Sequence, residues 1–252
     1  MAMREGAFMM IDALGFKGIW NKAQPAEVLR KLRQLRDGFP AGLEVGMQKM
    51  AAATPALPPL KVEVAFLSDT VVASAAFTHD AIVDIDRWRA IATLAGIAST
   101  FTPISCASPV WTYRGCITYG RFEVDKEFIV GPAVDEAASL ASLAEAAAVW
   151  LAPSAFAATQ AFERTVPPAN LEEAPWIRYG VPLKNGATYE TKVVNPFWYG
   201  SDAQAAAWRT TLLQSFASSR IEVAIKQQNT ARFFERAFVT KRSSMRPTDP
   251  QS

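Results

Sequence analysis

Hydrophobic residues fall into stretches of two periods along the chain. Phe8-Met9-Met10-Ile11 is an unbroken apolar run that meets one carboxylate, Asp12, and continues as Ala13-Leu14-Gly15-Phe16. Such a run closed by glycine predicts a buried strand ending in an acid that faces a cleft. In Lys61–Leu67 and Thr70–Phe77, Val62, Val64, Phe66, Val71, Ala73 and Ala75 alternate with other residues. That alternation predicts a half-buried hairpin with Ser68-Asp69 at its tip. Tyr179–Lys184 and Thr188–Val194 flank Asn185-Gly186 and predict a second hairpin. Trp111–Tyr119 and Ala148–Leu151 read as further strands, with Gly120 and Asp125-Lys126 as turns either side of Phe122–Val124.

Helical spacing fills the rest. Gln24-Pro25-Ala26-Glu27 opens a helix with proline in its first turn. Val28, Leu29, Leu32 and Leu35 form its apolar stripe, and Arg30, Lys31, Arg33 and Arg36 are expected in water. Asp37-Gly38-Phe39-Pro40 ends it, a second short helix is expected up to Lys49, and Thr54–Pro59 reads as a rigid connector. Ile82, Ile85, Trp88, Ile91 and Leu94 predict a helix from Ala81 to about Thr100. Gly131-Pro132 is expected to start an alanine-rich helix over Ala133–Ala148, followed by a helix at Pro153–Phe162 and a loop at Pro167-Pro168. Asp202–Phe238 reads as one long amphipathic helix or a kinked pair, and Lys241–Ser252 as a polar, disordered tail. The order is α+β, a ferredoxin-like βαββαβ core with an extra hairpin and a C-terminal helical extension. The expected division is a domain over 1–200, a helix over 201–240 packing on that domain or on a dimer, and a tail over 241–252.

The bulk properties exclude more than they select. With 252 residues and 50% hydrophobic content, the chain suits one large α/β domain, or one domain with a helical appendage. A net charge of +2 singles out neither nucleic acid nor membrane as a partner. The strands lack paired exposed aromatics flanked by basic residues, which weighs against a nucleic-acid-binding domain. Two cysteines, Cys106 and Cys116, are too few for a disulfide framework, so a cytoplasmic location is expected with both thiols in the core. The single histidine, His79, precedes a helical run and is expected at a helix start or on the surface rather than in catalysis. No apolar run reaches the length of a membrane span, and the N-terminal run is too short for a signal segment.

Candidate chemistry rests on Asp12 and Asp69. If the first strand pairs antiparallel with the second arm of the hairpin, the two acids meet at one end of the sheet. Carboxylates brought together in this way can share a pair of hard divalent cations. Taken singly, each acid has an ordinary structural reading, as a strand end or a turn residue.

Three stretches, in order, resemble class III nucleotidyl cyclases: Ile11–Phe16 their first metal-binding strand, Phe66-Leu67-Ser68-Asp69 their second metal hairpin, and Arg114–Gly120 with Phe128–Leu140 the strand-turn-helix that follows. Tyr179-Gly180-Val181-Pro182-Leu183-Lys184 is similar to a short strand of the pyrimidine (uridylate and cytidylate) cyclases of the bacterial Pycsar anti-phage system. The resemblance spans roughly residues 5–200 and implies that this region is the catalytic domain. It implies two Mn²⁺ or Mg²⁺ ions held by Asp12, Asp69 and the Ala13 carbonyl. It also implies phosphate contacts around Leu14, Gly15 and Phe16, and a homodimer with shared sites. Asp12 and Asp69 would come from one protomer, and Ala65, Phe128 and Asp135 from the other. The product would be cyclic UMP or cyclic CMP, read by a separate effector in anti-phage defence.

Base choice follows from departures within that pattern. Purine cyclases place Lys or Glu four residues before the second metal acid, where this chain has Ala65, and Asp or Cys three residues before the helix-opening glycine, where it has Phe128. The polar pair that reads a purine edge is thus missing, and an aromatic ring at 128 suits a smaller base. UTP or CTP is the expected substrate, with uridylate favoured and an adenylate or guanylate cyclase as the alternative. The family's helix also carries Asn and, four residues on, Arg; here these are Asp135 and Ser139. Asp135 can still accept from a ribose, but Ser139 supplies no cation. Arg114, Arg121 and Lys184 are the candidates to replace it. A catalytically inactive nucleotide-binding or interaction module is the alternative of another class.

Overall fold

The computed structural model describes residues 3–14, 16, 19, 23–37, 44, 58–106, 110–125, 128–166, 174–218 and 220–244. The apolar run at the N-terminus forms β1 (Arg4–Leu14), and the first hairpin forms β2 (Leu60–Leu67) and β3 (Thr70–Phe77). β4 (Thr112–Val124), β5 (Ile129–Val130), β6 (Val149–Leu151), β7 (Trp176–Pro182) and β8 (Thr188–Val194) complete an eight-stranded sheet. Its order is β2-β3-β1-β4-β6-β8-β7, with β5 on β4. β2, β3, β1 and β4 pair antiparallel with one another, and β4 and β6 run parallel. That order, with a helix before β2 and another before β4, is the ferredoxin-like core.

The sheet is packed on both faces. α1 (25–37), α2 (Asp84–Ser105) and α4 (Pro153–Glu163) cover one, against Ala7, Met9, Ile11 and Ile117. α3 (Pro132–Leu140), α5 (Asp202–Gln214) and α6 (Ile221–Ser244) cover the other, against Phe8, Cys116 and Trp150. Central β1 therefore buries alternate side chains in opposite cores, which explains why its sequence is apolar without alternation. Strands β1 and β4 approach so closely that a Cβ on Gly115 would overlap the Met10 carbonyl and sit 2.6 Å from Ile11 Cα. Cys116 is buried, Cys106 is half-buried, and both are free thiols. His79 stacks edge-on to Phe77 and reaches Asp86 in the first turn of α2 at 3.4 Å, the helix-start position expected of it.

Several elements differ from the sequence expectation. β4 runs straight through Gly120, because β1 pairs with it from Leu14↔Thr112 to Arg4↔Phe122. The alanine-rich helix stops at Leu140, and residues 141–148 form an irregular segment. Asp202–Phe238 is two helices, with α6 continuing to Ser244 through the first residues of the expected tail. Lys241 is buried there and donates to the carbonyls of Phe197 and Gly200. Lys31 is buried rather than solvated, with its Nζ donating to Ile104 and Ser105 carbonyls at the end of α2. Leu29, placed in the apolar stripe, is exposed. The expected helix up to Lys49 (apart from Glu44), the connector before Pro58, the Pro167-Pro168 loop, Gly15 and the chain beyond Ser244 lie outside the described residues.

Candidate active site

The hairpin and β1 place the two acids together. Asp12 is the cross-strand partner of Thr70, the first residue of β3, and Asp69 directly precedes Thr70 in the two-residue turn. The Ala13 amide donates to the Asp69 carbonyl at 3.2 Å and locks the tip of the hairpin to the end of β1. Ser68 carries φ +61, the only positive value of a non-glycine residue among the described residues, so the turn is held in a conformation that L-residues adopt rarely. Burial pushes the Asp69 carboxyl above its usual range. Its own backbone amide and the Ser68 hydroxyl pull the other way, and the negative charge of Asp12 adds to the upward shift. The buried Tyr113 hydroxyl has no hydrogen-bond partner among the described residues, and its pKa is raised first by burial and then by the charge of Asp69.

Arg114 faces Asp12 across β1 and β4. Its Nε donates to Asp12 Oδ1 at 3.3 Å and its Nη2 to Oδ2 at 3.4 Å, a two-pronged contact. The third prong, Nη1, donates to the Ala144 carbonyl at 3.2 Å. The Arg114 side chain is 13% exposed and that of Asp12 27%, so the pair sits in the mouth of the site rather than in open solvent. Opposite charges on directly paired strand residues stabilise the sheet locally. The same contact places a cation beside the acid expected to hold a metal.

The other expected residues scatter. The Ala13 carbonyl accepts from the Phe16 amide at 3.3 Å. That bond also occupies the Phe16 amide expected to meet phosphate, and the Phe16 ring packs edge-on to Trp111 at 5.5 Å. Leu14 ends β1 opposite Thr112. Ala65 and Phe128 line one cleft of about 400 Å³, within the usual size of a small-molecule site. Phe128 is 63% exposed there and is no core residue. The polar side chains of that cleft are Glu63, Ser74 and Asp125. Asp135 and Lys184 are exposed and bond neither acid; Lys184 makes a backbone bond to Leu143. Arg121 is exposed on β4, opposite Glu5. Of the three candidate cations, Arg114 alone joins the acids.

No family model matches this chain, and no curated protein does. Solved structures do resemble it. One is the monomeric guanylyl cyclase domain of the RhoGC fusion protein from the aquatic fungus Blastocladiella emersonii, with a TM-score of 0.49 and 12% identity over 76% of this chain and 95% of that one. A second is the adenylate/guanylate cyclase/hydrolase from Silicibacter pomeroyi, with a TM-score of 0.44 and 17% identity over 76% and 95% of the two chains. A third is the adenylyl cyclase CyaB from P. aeruginosa, at 0.43 and 11% over 76% and 93%. At 11–17% identity and scores below 0.5, these likenesses concern the path of the chain alone.

The donor set suits a hard cation. The backbone brings Asp12, the Ala13 carbonyl and Asp69 to one corner of the sheet, an all-oxygen set, and magnesium-type sites take one or two protein carboxylates with the rest from phosphate and water. The described residues contain no group of three or more His, Cys, Asp or Glu that would hold an ion unaided. Sequence reasoning missed the grip of Ala144 on Arg114 and the position of Tyr113 beside Asp69. Neither has a local signal, because a backbone carbonyl and a core tyrosine look alike wherever they fall.

Proposed function

We propose that this chain is a metal-dependent nucleotidyl cyclase acting on a pyrimidine triphosphate, UTP in preference to CTP. The observation that carries the reading is the meeting of Asp12 and Asp69 at the β1 end, with Arg114 between Asp12 and Ala144. In the reaction the ribose 3′ oxygen bonds to the α-phosphorus and the bond from that phosphorus to the bridging oxygen breaks. The 3′ proton leaves to solvent and the electron pair departs with pyrophosphate. Two Mn²⁺ or Mg²⁺ ions, when bound, would acidify the 3′ hydroxyl and neutralise the triphosphate. Asp12 and Asp69, with the Ala13 carbonyl, would hold them. Arg114 supplies the fixed cation for charge on the transferred phosphate, a role that Ser139 cannot fill.

Pyrimidine choice is supported by the cleft at Ala65 and Phe128. Of its three polar side chains, Glu63 is paired with Arg4 and Lys61, and Asp125 accepts from the Phe128 amide. Few groups remain to read a purine edge. The site would be shared between two copies of the chain, and the cyclic nucleotide would signal to a separate effector in anti-phage defence.

The Asp12–Arg114 pair also suits a second reading, an inactive nucleotide-binding module in which an internal cation replaces metal. Incubation with each of the four nucleoside triphosphates and Mn²⁺, followed by mass spectrometry, tests both. Cyclic UMP or cyclic CMP is expected. Cyclic AMP or GMP as the main product would replace the pyrimidine reading with a purine one, and no cyclic product would leave the inactive module.

A further inference from the structure

We infer that α6 is a positioning element for Arg114, acting through Thr230, Asn229 and the irregular segment that carries Ala144. The inference rests on the two-acid site proposed above. Residues 141–148 are rich in alanine, yet leave the helix after Leu140, so their backbone groups need partners from elsewhere. On one side the β7–β8 hairpin supplies them: Glu145 N–H donates to the Pro182 carbonyl at 2.8 Å, and Lys184 N–H to the Leu143 carbonyl at 2.9 Å. On the other side α6 does so. Ala147 N–H donates to Thr230 Oγ1 at 2.8 Å in a fully buried contact, and Asn229 Nδ2 donates to the Glu145 carbonyl at 3.1 Å. Lys226 lies 3.8 Å from the Glu145 carboxylate.

The segment so clamped presents the Ala144 carbonyl to Arg114 Nη1, while the other two prongs hold Asp12. A planar guanidinium held on both sides has one orientation. Thr230 also donates to the Lys226 carbonyl at 2.7 Å, so its hydroxyl is oriented with a lone pair free for Ala147. Thr230→Val keeps the shape, removes that acceptor and strands a buried amide. The segment then relaxes, Ala144 releases Nη1, and Arg114 loosens from Asp12.

The test uses the full chain labelled with ¹⁵N, without nucleotide. The Nε–H resonance of Arg114, assigned by its loss in Arg114→Lys, is expected to shift or broaden in Thr230→Val and Asn229→Ala and to return in Thr230→Ser. Phe238→Leu, on the same helix but packed on Phe197, is the control expected to leave it in place. Mn²⁺ titration followed by electron paramagnetic resonance gives a second readout. Thr230→Val is expected to tighten Mn²⁺ binding about threefold in the wild-type background and to have no effect in Arg114→Gln, the signature of coupled residues. An unmoved Arg114 resonance in both α6 variants overturns the inference; if Thr230→Val does not fold, Asn229→Ala decides. A moved resonance without Mn²⁺ binding in any variant upholds the positioning role and defeats the metal site.

Discussion

Asp12 and Asp69 share a corner of the sheet but not an environment. Asp12 is compensated by Arg114, whereas Asp69 is pushed toward protonation by burial and by Asp12. A carboxyl whose folded pKa is raised holds its proton more tightly in the native state, so its ionised form costs stability at neutral pH, and that cost shrinks as pH falls through the folded value and is gone below the unfolded one. In metal-free protein, Asp69→Asn is therefore expected to be more stable than wild type at pH 7, by less than about 1 kcal/mol because the group is partly solvated. The gap should close on acidification, as read by urea denaturation at stepped pH. Such a destabilised acid is what a cation would relieve. Under the cyclase reading, Asp12→Asn and Asp69→Asn should each lower turnover about 100-fold or more, since ligand loss exceeds the usual effect of second-layer changes. Full turnover in either variant, with folding confirmed by circular dichroism, would remove that acid from the site.

Buried cations hold the ends of some elements, as a capping box at Ser201 and Gln204 holds the start of α5. Lys31 ties α1 to the last turn of α2, and its pKa falls from 10.5 to about 8, chiefly through burial, with Arg30 adding to the drop and Cys106 opposing it. The unfolded chain binds this proton more tightly, so stability should rise with pH between about 8 and 10.5. Lys31→Met should flatten that slope in denaturation curves. At the sheet centre the constraint is steric. Gly115 sits where a methyl group meets backbone of β1, so Gly115→Ala is expected to cost about 3 kcal/mol and to lower the melting temperature. The register that sets Gly115 against Ile11 also sets Arg114 directly across from Asp12.

At the scale of the molecule, Phe8 and Val72 place the Ala65–Phe128 cleft on the sheet face that α3, α5 and α6 also cover. If two copies share their sites, mixing Asp12→Ala with Phe128→Ala, each inactive alone, should restore about a quarter of wild-type turnover through mixed dimers carrying one intact site. Absence of rescue would locate the whole site within one chain. No described helix is long and apolar enough to cross a membrane. Sequence alone determined the two hairpins and the apolar β1, because local period and turn residues specify them, but the meeting of Asp12 and Asp69 waited on the long-range pairing of β1 with β3. Tertiary structure alone decided that Ala141–Ala148 abandons the helix its alanines favour, that Lys31 and Lys241 go inside, and that Arg114 takes Asp12. In each case the deciding partner is a backbone group or side chain distant in sequence, whose hydrogen bond outweighs the few tenths of a kcal/mol per residue of intrinsic propensity.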